Sequence, residues 1–67
     1  MWININHSEF KALISAGCSA SREVNGKGSD SVWHDPGGYR VARMTVEIVY
    51  NDHGTGVCDI GYFKWVV

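Results

Sequence analysis

A chain of 67 residues, 45% hydrophobic and 19% charged, makes one small domain over residues 1–67 and is too apolar to belong to the disordered class. Six Lys and Arg against seven Asp and Glu leave a net charge of −1, which excludes both a strongly basic duplex-DNA binder and an acidic mimic of DNA. No continuous apolar run reaches the roughly eighteen residues of a membrane span, and MWININHSEF lacks the basic start and apolar stretch of a secretory leader, so the expectation is a cytoplasmic chain with no membrane partner.

MWINI alternates Trp2 and Asn4 against Ile3 and Ile5 and predicts a short N-terminal strand. Ser8 suits a helix N-cap and Glu9 the positive end of the helix dipole, while Phe10, Leu13, Ile14 and Gly17 recur at the spacing of one helical face. The spacing predicts a helix over 8–16, with a frayed or second turn toward 24 before Asn25-Gly26 stops it. NGKGSDS then reads as a loop, and SVWH as a brief strand. DPGG is a reversal signal, with Pro at the second turn position and glycines after it.

YRVARMTVEIVY is the longest strand, placing Ala42, Met44, Val46, Ile48 and Tyr50 on a core face and Val41, Arg43, Thr45, Glu47 and Val49 on the other. The stretch YNDHGTGVCD follows, and its Asn51, Asp52, Gly54 and Gly56 are the residues a hairpin turn needs. In VCDIGYFKWVV the alternation breaks, since Cys58 and Ile60 share one parity and Phe63, Trp65 and Val67 the other. A bulge at Gly61 would bring both sets to the helix, and without it the strand is apolar on two sides. The expected fold is α+β: a short N-terminal strand, one helix, and a three-stranded antiparallel β-meander packed against the helix.

Chemistry-bearing signals are sparse. A nucleophilic reading would set Asp52 and His53 beside Cys58, but the spacing matches no specific triad, so no catalytic residue is assigned. Three His and two Cys occur without C-x-x-C or H-x-x-x-H, so no metal or other cofactor is expected. Cys18 and Cys58 read as separate thiols in a reducing compartment. GTG lacks the Lys-Ser/Thr and following helix of a phosphate cradle.

What the chain has in surplus is large rings, more than one short helix covers, and Trp, Tyr and Arg are the usual anchors of binding interfaces. Trp33, Tyr39, Arg40, Arg43, Tyr62, Lys64 and Trp65 are therefore the candidate partner-binding residues. The expected function is non-enzymatic, stoichiometric binding of a protein partner, a host macromolecular complex; chain size suggests a phage or mobile-element inhibitor of anti-CRISPR or anti-restriction type. FKWVV, as an edge strand, would also allow a homodimer. The alternative partner is single-stranded nucleic acid, seated on Arg40, Arg43, Lys64 and Trp65 by charge and stacking.

Overall fold

The computed structural model describes the backbone of residues 1–67 and the side chains of all of them except Asn25. Strand β1 (Trp2–Ile5) leads into helix α1 (His7–Ile14), whose N-cap is Asn6, not Ser8. The Asn6 side-chain oxygen accepts from the Glu9 amide at 2.8 Å, and the helix starts one residue earlier than the sequence suggests. Ser15 is the C-cap, and Gly17 follows at φ +79°. No second helical turn forms. Ser19–Asn25 is instead a strand, β2, paired with β3 (Gly28–His34) across the two-residue loop Gly26-Lys27.

The DPGG reversal forms between β3 and β4 (Arg40–Tyr50), with the Asp35 amide donating to the Tyr39 carbonyl at 2.9 Å and the Tyr39 amide donating to the Asp35 carboxylate at 3.0 Å. YNDHGTGVCD is a hairpin turn between β4 and β5 (Gly56–Trp65), closed by Asn51, whose side-chain oxygen accepts from the His53 and Thr55 amides at 2.9 and 3.0 Å.

All five strands join one antiparallel sheet in the order β1-β5-β4-β3-β2. The chain starts at one edge, crosses by α1 to the other, and returns strand by strand until β5 pairs with β1. The molecule is thus mostly sheet, with five antiparallel strands and one short helix, and the expected three-stranded meander on a helix is not the fold. The two unforeseen strand segments are Ser19–Val24, with one β-branched residue, and Gly28–Asp30, built of turn-formers; both owe their extended state to the partner strand rather than to intrinsic preference.

No bulge occurs at Gly61, since the β4–β5 register runs unbroken from Ala42–Lys64 to Tyr50–Gly56. Gly61 lies under the ring of Phe63, where an added Cβ would stand 2.9 Å from Phe63 Cε2 and 2.8 Å from Thr45 Oγ1. The strand is therefore apolar on two sides. FKWVV is also not the open edge that the sequence suggested, because Phe63 and Lys64 are paired with β1 on one side and β4 on the other.

Register divides the side chains between a helix face and an open face. On the helix face, Phe10 inserts edge-on between Trp33 and Tyr62, with ring centroids 5.0 and 4.8 Å away. Phe10, at 3% exposure, and Ala42, at 0%, are the only buried hydrophobic residues among those described, so the core is small. The molecule is long, 45 × 21 × 20 Å. Past Gly28, where β3 ends opposite Glu47, β4 and β5 run on as a two-stranded ribbon with Ile48, Val49, Tyr50 and Val57 exposed. No helix is long and apolar enough to cross a membrane.

Candidate functional site

An antiparallel sheet covered on one side ordinarily turns polar residues to water on the other. Here the open face carries Trp2, Trp65, Phe63 and Val32, none of them under a second layer. Trp2 and Trp65 are directly opposed on β1 and β5 and meet edge to face, centroids 5.2 Å apart.

Two arginines join the rings, by different routes. Simple alternation along β4 puts Arg43 on the open face, and its guanidinium lies 5.9 Å from the ring centroids of both Trp2 and Phe63. Arg40 shares its sequence parity with Ala42 and so belongs, by alternation, under the helix. A β-bulge intervenes: Trp33 pairs with Ala42 but His34 with Arg40, leaving Val41 as the extra residue. The bulge turns Arg40 to the open face, where its guanidinium carbon stands 4.4 Å from the Trp65 ring centroid.

Beside this cationic and aromatic wall runs an acidic one. Asp30 takes a 3.0 Å ion pair from Arg43, and Glu23 lies directly opposite Asp30 on β2. A groove of about 810 Å³ opens between the two walls, with Tyr39, 76% exposed, at one end. Farther along the same face Glu47 and Asp59 are also directly opposed, a second like-charge pair.

The candidate binding residues read from the sequence fall on both faces. Tyr39, Arg40, Arg43 and Trp65 come together at the groove. Trp33 and Tyr62 stand instead against Phe10 on the helix face, and Lys64 makes a 3.0 Å ion pair with Glu9 of the helix. Trp2, Glu23, Asp30 and His34 line the groove without having been singled out. Alternation alone would have found Trp2, but the others needed the β2–β3 pairing and the bulge.

Cys18 and Cys58 are free thiols, and Cys18 is half-buried, donating to the Leu13 carbonyl at 3.7 Å. Cys58 is exposed opposite Ile48, and among the described residues its thiol has no hydrogen bond to Asp52 or His53. No three His, Cys, Asp or Glu side chains among the described residues are grouped so as to hold a metal ion. Comparison with protein-family models, with curated proteins and with solved structures returns no match, so the functional reading rests on the geometry.

Proposed function

We propose that this chain is a non-enzymatic binding protein that occupies a protein partner's surface, one to one, through the open face of its sheet. The supporting observation is the uncovered cluster of Trp2, Phe63 and Trp65 interleaved with Arg40 and Arg43. Trp and Arg side chains of this kind anchor interfaces, Trp because it buries a large area with little conformational entropy to lose and Arg because its planar guanidinium both stacks and donates several hydrogen bonds. The narrower reading, an inhibitor of a host defence complex, rests on chain size and names one class of partner within this proposal.

Single-stranded nucleic acid is a poorer fit to the same face. Rings and arginines suit bases and phosphates, yet Arg43 is already bonded to Asp30, and Glu23 adds a second negative charge to the groove wall.

The test is affinity capture with the wild type, Trp65→Ala, Arg40→Glu and a Tyr50→Ser control on the distal ribbon. A partner held one to one by the wild type and the control, but about thirtyfold more weakly by both open-face variants, supports the proposal. A partner indifferent to the open-face changes overturns it. Retention of an oligonucleotide that weakens as salt rises supports the nucleic-acid reading in its place.

A further inference from the structure

Strand β2 is an outer edge of the sheet and pairs with β3 in unbroken register, from Ser19–His34 to Asn25–Gly28. Every second residue of such a strand turns its N–H and C=O away from the sheet. Among the described residues, no backbone group from Ser19 to Val24 bonds outside the β2–β3 ladder. Of the usual edge protections β2 has only the charges of Arg22 and Glu23, and no Pro, Lys or bulge interrupts it. The opposite edge, β1, is only four residues long.

A second copy is a poor occupant for this edge. Antiparallel pairing about a two-fold axis normal to the sheet keeps the two faces in common, so each residue meets a residue of its own parity. The full-length register then sets Arg22 against its own copy, and the next register toward the turn does the same to Glu23. The shift in the other direction sets Arg22 against Ala20 and Glu23 against Ser19, leaving both charges unanswered.

Another chain can answer both. Glu23 lies on the open face directly opposite Asp30, whose negative charge is taken by Arg43, so Glu23 is left without an ion pair among the described residues. Arg22 lies on the helix face opposite Ser31 and is likewise without an ion pair among the described residues. We propose that β2 accepts an extended segment of another protein as a sixth, antiparallel strand, selected by a basic residue facing Glu23 and an acidic residue beside it facing Arg22. Read along the added strand, the residue facing Val24 is apolar, the next basic and the next acidic. This surface is an edge rather than the open face, and the proposal stands independently of what the rings of that face bind.

The test is titration of the isotope-labelled full chain with the capped peptide STVKETVS and with its charge-exchanged counterpart STVEKTVS, followed by amide NMR and hydrogen exchange. The first peptide is expected to shift and protect amides within 19–24 and to bind about tenfold more tightly than the second. The double variant Arg22→Glu with Glu23→Arg, both on exposed positions, is expected to reverse that preference with its spectrum otherwise unchanged. Equal binding of the two peptides, perturbation at Trp2 and Trp65 instead of β2, or no perturbation of β2 at millimolar peptide overturns the proposal. Perturbation at Trp2 and Trp65 would speak for the open face, whereas the other outcomes leave the capture experiment with Trp65→Ala untouched, so failure of one proposal is distinguishable from failure of the other.

Discussion

Arg40 stacks on Trp65 at 4.4 Å although both neighbours of its parity on β4, Ala42 and Met44, point to the helix. The relationship exists because Val41 is the extra residue of a bulge, and one inserted residue re-aims everything before it. Arg40→Ala is expected to destabilise the chain by about 0.5–1 kcal/mol, the range for a cation–π contact near the surface. Deleting Val41 makes Arg40 the direct neighbour of Ala42, so alternation alone should then hold Arg40 opposite His34 on the open face and keep the stack. Urea denaturation measures the first effect, and the ring-current shift on the Arg40 side-chain protons reports the second. An Arg40→Ala variant as stable as the wild type would mean that the stack contributes nothing in solution.

Phe10 carries the attachment of the helix. An eight-residue helix is too short to persist alone, and Phe10 is its only buried residue. Phe10→Ala removes the contacts with Trp33 and Tyr62 and is expected to cost about 3–5 kcal/mol, which is roughly all the stability a domain of this size has. The variant should lose its dispersed NMR spectrum, while Phe10→Leu keeps it with a lower melting temperature. A folded Phe10→Ala would show that the sheet stands without its helix.

Gly28 is held by a close approach. A Cβ placed there would lie 1.8 Å from the Val46 carbonyl oxygen, whereas one on Gly26 meets nothing within 4 Å. Since the obstacle is backbone, Gly28→Ala must move β3 away from β4 and is expected to cost about 3 kcal/mol or more, against a change within about 0.5 kcal/mol for Gly26→Ala. Chemical denaturation of the pair checks the contrast. Equal effects would place the β3–β4 register elsewhere.

The same glycine shows why the sequence was legible only in part. NGKGSDS has the composition of a loop, yet Gly28 is a strand residue chosen for proximity, and Ser29 and Ser31 are buried on the helix face. The helix was readable because the spacing of Phe10, Leu13 and Ile14 is a property of the segment itself. β2 was not, because its extended state is supplied by β3. The site divides in the same way: Arg43 follows from alternation, while Arg40 depends on a bulge and the Glu23–Asp30 wall on a strand pairing that no local pattern announces.

The distal ribbon joins stability to association. Ile48, Val49, Tyr50 and Val57 are exposed there, and the ribbon has neither helix nor third strand against it. A two-stranded ribbon of this kind is marginal in water, so amides over 49–57 are expected to exchange much faster than those of Ala42–Val46, which are paired on both sides. Ile48→Thr combined with Val57→Thr should leave unfolding unchanged within about 0.5 kcal/mol while lowering self-association in sedimentation at high concentration. The two readouts are expected to move separately, because apolar groups as exposed as these contribute little to the monomer. If the double variant instead unfolds about 2 kcal/mol more easily and its loss depends on protein concentration, these side chains are buried between copies, and the folded unit in solution is an oligomer.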